Sequence, residues 1–117
     1  MNLNELLDDY KKMAEICYKI DNSDKNSVKN NNRAVSRMYQ IVNTIKINFG
    51  EAGVCEFAGL MDIKDSRTDI WVAVQMLEKM QVDTATEQKA LIIIKQEARQ
   101  SLGMDYWLKT YKEQNRK

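Results

Sequence analysis

The sequence predicts an all-α domain of five or six helices in antiparallel pairs, and three observations predict it. Proline is absent and glycine occurs only at positions 50, 53, 59 and 103, so the strongest helix breakers are missing from nearly every stretch. Apolar residues recur at i, i+3, i+4 and i+7 through most of the chain, which is the spacing of one helix face. Short oxygen-bearing side chains stand where those faces begin, ready to accept hydrogen bonds from a first turn. The length of 117 residues suits one domain, 1–117. Folding at that size removes about two-thirds of the unfolded surface from water, enough for a core without metal or disulfide.

The first helix is expected over Leu3 to Ile20. Asn2 stands at its N-cap and Glu5 three residues on, a variant of the capping box that satisfies two early N–H groups. Leu3, Leu6, Leu7, Tyr10, Met13, Ala14, Cys17 and Ile20 hold the helical spacing, with charged residues opposite. Asp21 to Asn32 is rich in side chains that compete for backbone hydrogen bonds, so it holds a connection and a helix start near Asp24 or Ser27. The second helix then carries Val28, Val35, Met38, Tyr39, Val42, Ile45 and Phe49 to about Asn48. Gly50 stands past its end, where a positive φ costs glycine nothing. Lys25, Lys29, Arg33 and Arg37 share one side of this helix, either as a solvated row or as a contact for an anionic partner.

Glu51 to Leu60 reads as a short third helix with Val54, Cys55, Phe57 and Ala58 available for burial. Asp65 to Leu77, DSRTDIWVAVQML, is the expected central helix, capped by Asp65 or Ser66 and buried through Ile70, Ala73, Val74 and Leu77. Trp71 and Met76 widen that stripe, so this helix needs neighbours on two sides. After a loop at Lys79 to Asp83, Thr84 to Glu87 matches an S/T-x-x-E capping box. The helix it opens turns Ala90, Leu91, Ile94 and Ala98 inward and ends at Gly103. The isoleucines at 92 to 94 also suit a buried strand, but the cap and the following KQEAR favour helix. Tyr106 to Lys112 forms a last short helix, and Glu113 to Lys117 a frayed basic end.

The formal charge of +1 argues against bulk attraction to nucleic acid or an anionic membrane. Acidic and basic residues number 6 and 8 in positions 1–50, 7 and 3 in 51–83, and 4 and 7 in 84–117. An acidic middle of −4 thus lies between weakly basic ends. Histidine is absent and the cysteines are Cys17 and Cys55 alone, so no zinc spacing exists and both thiols are expected free and buried. Histidine-based nucleophile pairs are excluded, the glycines form no phosphate-binding signature, and no cofactor, metal or catalytic group is expected. MNLNELLDDY has neither a basic leader nor a long apolar stretch, so the chain reads as cytoplasmic. Asp62, Asp65 and Asp69 cluster at the start of the central helix, where the helix dipole favours negative charge. Their other reading is an acidic docking patch. Tyr106, Trp107 and Tyr111 crowd near the end, more rings than a short terminal helix can bury.

Helix pairs of this kind stack as a short armadillo- or HEAT-like solenoid, or as a bundle. Asp65 to Leu77 resembles the motif N-P-x-V-R-L-W-A-A-x-x-L-L of a small bacterial helical family, long listed as a domain of unknown function. Ile70, Trp71, Ala73, Met76 and Leu77 match it in kind and spacing. The opening NLNELLDDYKKMA and Leu108 to Lys112, against a family L-K-E-W-K, agree too, so the likeness spans most of the chain. Thr68 and Asp69 stand where the family has valine and arginine, reversing the sign of charge at the second position. The resemblance implies a non-enzymatic immunity protein of the kind found in contact-dependent growth inhibition, which neutralises a cognate toxin, often a nuclease, by direct contact. On that reading Asp62, Asp65 and Asp69 steer a basic partner, and Tyr106, Trp107 and Tyr111 anchor it. The alternative is a helical-repeat adaptor or homodimer without a toxin partner. Neither reading involves a membrane or direct contact with nucleic acid; that contact, through the basic row, is a third reading.

Overall fold

The computed structural model describes residues 1–114. The fold is all-α: helices α1 (Leu3–Tyr18), α2 (Lys25–Gly59), α3 (Thr68–Lys79), α4 (Thr84–Ala98) and α5 (Leu102–Gln114). Two 3-10 turns, Leu60–Asp62 and Asp65–Arg67, join α2 to α3. No strand occurs among the described residues, and the isoleucines at 92 to 94 are helical. Cross-helix bonds fix the directions. Arg37 bonds Asp9 at 2.9 Å, Tyr39 bonds Glu78 at 3.0 Å, Arg67 bonds Glu97 at 3.1 Å and Tyr111 bonds Glu87 at 2.9 Å. Arg67, just before α3, meets Glu97 near the end of α4, and Glu87 near the start of α4 meets Tyr111 near the end of α5, so α3, α4 and α5 run antiparallel in succession.

Local sequence accounts for most boundaries. Both bonds of the expected box at Asn2 form: its Oδ1 accepts from Glu5 N–H at 2.8 Å, and Glu5 Oε1 accepts from Asn2 N–H at 3.0 Å. Asp24 caps α2 by accepting from Asn26 N–H. At Gly50 the chain takes φ 56° and ψ −144°, and the coil resumes at once. The expected third helix is therefore the second arm of a bent α2 rather than a separate element. Gly53 is buried in the bend; a Cβ there would lie 2.5 Å from Phe49 Cβ.

Several expectations are corrected. α3 starts at Thr68 without a side-chain cap, because Ser66 and Arg67 both adopt φ 54° and close a 3-10 turn first. A left-handed conformation costs an L-residue about 1–2 kcal/mol, offset here by Thr68 Oγ1 donating to Asp65 O and by the ion pair of Arg67 with Glu97. The deeply buried face of α3 is Thr68, Asp69, Val72, Ala73, Gln75 and Met76; Ile70, Val74 and Leu77 are half-buried at its margin. The cap of α4 is Asp83, one residue before the expected Thr84, and it accepts from Thr86 N–H at 2.8 Å. Asp83 is held below the usual carboxylate range by its hydrogen bonds from Thr86. Ile93 is buried in α4 beside Ala90 and Ile94, while Leu91 and Ala98 are half-buried. α4 ends at Ala98, and Gly103 lies in the first turn of α5 rather than at the end of α4. The end expected to fray from Glu113 is helical to Gln114, and its last residues lie outside the described ones.

The core gathers side chains from every helix. At its centre the Tyr10 and Phe57 rings meet edge to face, centroids 5.0 Å apart, and Tyr10 O–H donates to Gln75 Oε1 at 2.8 Å. All three side chains are fully buried. Burial pushes the Tyr10 phenol well above its ordinary range, with smaller contributions from Tyr39, Cys17 and Glu78. The same burial raises the Cys17 thiol. Cys55, by contrast, is exposed, which corrects the expectation that both thiols are buried.

Candidate partner-binding surface

The aspartate cluster does not form a patch. Asp69 is 1% exposed; its Oδ2 receives Lys64 Nζ at 3.4 Å, and its Oδ1 lies 3.8 Å from Arg67 Nε with no hydrogen bond. In the first turn of α3 its charge also meets the positive end of the helix dipole. It is buried and paired with Lys64, so it adds nothing to an exposed acidic patch. Asp62 is exposed and pairs with Lys89 of α4 at 2.7 Å. Asp65 is exposed in the 3-10 turn, and its side chain makes no bond among the described residues.

The three terminal aromatics divide as well. Trp107 and Tyr111 stack with centroids 5.2 Å apart and planes 7° from parallel. Trp107 packs against the core, and Tyr111 donates to Glu87 of α4. The phenol of Tyr111 is raised first by burial and then by that carboxylate. This pair clamps α5 to α4. Tyr106, 73% exposed, stays on the outer side of α5 with Leu102, 90% exposed. In the basic row, Lys25, Lys29 and Arg33 are exposed, but Arg37 is committed to Asp9 and touches Met1 Sδ.

A different surface emerges from the packing. α3 lies between α2 and α4, and beyond it the bent arm of α2 and the start of α4 leave an open trough. Along α2 its wall is Tyr39, Asn43 and Lys46 on the first arm and, past the bend at Gly50, Val54 and Ala58 on the second. Along α4, Ala85, Gln88, Lys89, Ile92 and Gln96 line an adjoining depression whose other side is Met61, Asp62 and Lys64 of the turn after α2. The widest part of the trough, about 740 Å³, lies between the α2 arm and the loop Met80 to Asp83. Val54, Ala58, Met80 and Val82 give that part its apolar lining, with Cys55 beside them and Lys46, Glu51, Gln81, Asp83 and Thr86 making the rest polar. Buried Met61 and Ile93 line its continuation towards Ile92.

Both signs of charge border the trough. Asp62 is paired with Lys89, Lys64 with Asp69, and Lys79 sits 5.6 Å from the centre of the Tyr39 ring. Tyr39 also donates to Glu78, and its phenol is pushed up to about 12 by burial and then by that carboxylate. Lys46 and Glu51 make no such bond among the described residues. Sequence reasoning missed this surface because its two walls come from helices separated in the chain. One signal was available: three consecutive isoleucines cannot all face inward on a helix, and Ile92 is 56% exposed. Searches of protein-family models, of curated proteins and of solved structures find no match to this chain.

Proposed function

We propose that this chain is a non-enzymatic immunity protein that binds a cognate bacterial toxin, a basic nuclease in its simplest form, and blocks it by direct contact. The observation that carries the reading is a set of adjoining surface depressions, apolar at Val54, Ala58, Met80 and Val82, and bordered by Glu51, Asp62, Glu78 and Asp83, all exposed. Of the seven carboxylates in the acidic middle, Asp69 alone is buried. Apolar contacts would supply much of the affinity and the bordering charges would govern capture rate and partner choice. The toxin itself comes from the likeness of Asp65 to Leu77 to the helical family, not from the trough. The test is co-expression with the product of the adjacent reading frame. Protection from that product and co-purification with it support the proposal; neither binding nor protection removes it.

One observation favours the second reading, a helical adaptor or homodimer without a toxin. Leu102 and Tyr106 put apolar surface on the outer side of α5, where a second copy could pack. A dimer by light scattering that Leu102→Glu dissociates favours that reading; a monomer at all concentrations opposes its homodimer form.

A further inference from the structure

We infer that α5 is an exchangeable arm: in a second copy of this chain it occupies the place on α4 that it covers in its own, giving a dimer by reciprocal exchange. This goes beyond a homodimer formed by surface packing and does not depend on a toxin. α5 leans chiefly on α4. Leu108 is its single buried side chain among the described residues, and Trp107 with Tyr111, bonded to Glu87, completes the attachment. An arm held along one helix can leave without opening the core around Tyr10 and Phe57. The receiving side of α4 fits α5 by construction, so the α5 of a second copy remakes every contact that the chain's own α5 gives up.

The backbone at the connection is already close to helical. α4 ends at Ala98 and α5 begins at Leu102, so Arg99, Gln100 and Ser101 alone turn the chain. Arg99 keeps right-handed helical angles, φ −65° and ψ −24°, and none of the three residues is glycine or proline. What interrupts the helix is Ser101, whose Oγ accepts from Met104 N–H at 3.2 Å. When the stretch straightens, backbone bonds of a continuous helix replace that one. The apolar pattern matches the straight form. Leu91, Ile94, Ala98, Leu102 and Tyr106 follow one another at intervals of three, four, four and four residues, which is one side of an uninterrupted helix. The turn cuts that side in two: Ile94 is buried and Leu91 and Ala98 are half-buried, whereas Leu102 and Tyr106 are 90% and 73% exposed. In a reciprocal exchange the two connections lie side by side, so Leu102, next to the connection, meets its counterpart there. All α4–α5 contacts are kept, so the balance between one copy and two rests on that new contact, the straightened turn and the freedom lost on association. It therefore shifts with concentration.

The test follows α5 from one copy to the other. Two chains, both with Cys17→Ala and Cys55→Ser, carry Glu87→Cys in one and Tyr111→Cys in the other. They are unfolded in urea, refolded together at about 1 mM, where weak self-association is visible, and treated with a short bis-maleimide. Exchange sets position 87 of one chain beside position 111 of the other, so a covalent pair of unlike chains is expected. The parental chain, refolded alike, should show twice the monomer mass by light scattering. Gly-Gly-Ser inserted after Gln100 should return it to monomer, because a flexible connection lets α5 fold back and breaks the continuous helix. If either cysteine chain fails to fold, the parental mass and the insertion decide. A parental chain that stays monomeric, a dimer without the link from 87 to 111, or a dimer indifferent to the insertion overturns the inference. A dimer packed through the outer side of α5 survives the insertion, which leaves Leu102 and Tyr106 in place, and the toxin reading stands or falls separately in the co-expression assay.

Discussion

Replacing Tyr10 by phenylalanine should destabilise the fold although nothing apolar is lost. The ring keeps its edge-to-face contact with Phe57 at 5.0 Å, so the packing contribution is unchanged and only the hydroxyl is removed. That hydroxyl is the donor to Gln75 Oε1 at 2.8 Å. Gln75 Nε2 already lacks a partner among the described residues, so Tyr10→Phe leaves a fully buried amide bonded at neither end. Leaving a buried polar group unsatisfied costs about 1–3 kcal/mol, whereas replacing both partners by apolar groups is close to neutral. Gln75→Leu alone strands the phenol and costs a similar amount, less what is regained by removing the unpaired Nε2. The double variant Tyr10→Phe, Gln75→Leu should return to parental stability or exceed it, giving a coupling of about 2 kcal/mol. In urea, with a slope of about 2 kcal/mol per M for a domain of this size, each single change moves the midpoint by roughly 1 M. Helical circular dichroism and tryptophan fluorescence should report the same transition, as two-state unfolding requires. Effects that add to within about 0.5 kcal/mol would refute the claim that the two groups form one buried unit.

Three further outcomes follow from the same geometry. Gly53→Ala should cost about 1–2 kcal/mol in the same assay, overpacking against Phe49 Cβ at 2.5 Å outweighing better helix propensity; Gly59→Ala, helical and with open space around it, should instead gain about 0.5–1 kcal/mol. Alkali should unfold the chain: Tyr10 and Tyr39 have folded pKa values above the 10.0 of an unhindered phenol. Their stabilising contribution is therefore complete below about pH 10 and declines as pH rises from there through the folded values, because the unfolded chain loses those protons first. Absorbance at 295 nm should show the last phenol ionising together with loss of helical ellipticity, and full titration of an intact helix would contradict this. A thiol reagent should modify Cys55 rapidly and Cys17 only on unfolding; equal rates would place Cys17 outside the core.

What the sequence disclosed divides along a physical line. The box at Asn2 and Glu5 and the cap at Asp24 were legible because donor and acceptor lie within three residues of each other. The faces of α1 were legible because an amphipathic surface helix has one buried side. The buried face of α3 was misread by more than a third of a turn. Its apolar count points to Ile70, Val74 and Leu77, yet Thr68, Asp69 and Gln75 go deeper, since Asp69 and Gln75 find partners in Lys64, Arg67 and Tyr10. A polar residue can be buried when another element supplies its bond, and no local pattern announces that element. Capping chemistry is similarly ambiguous between neighbours: Asp83 and Thr84 both carry a suitable oxygen, and the backbone conformation chooses. Glycine near a helix end is no better a guide, for Gly50 bends one helix and Gly103 begins another.

The same line explains why the candidate site moved. Asp62, Asp65 and Asp69 are neighbours in sequence, but one projects onto α4, one faces solvent and one is buried. Adjacency along a chain that turns twice through 3-10 geometry is not adjacency on a surface. The trough has the opposite history, because Val54 and Val82 have no local sequence relation and line one depression only through the fold. The bend at Gly50 permits the α2 arm to place Phe57 under Tyr10 in the core while Val54 remains at the edge of the trough. Core packing and the trough therefore depend on one backbone angle. A β-branched residue at position 50 could not hold φ 56° without strain, and both would be disturbed together. Binding lost through Gly50→Val would thus report on folding. Binding lost through modification of the exposed Cys55, with the helical signal unchanged, would report on the trough itself.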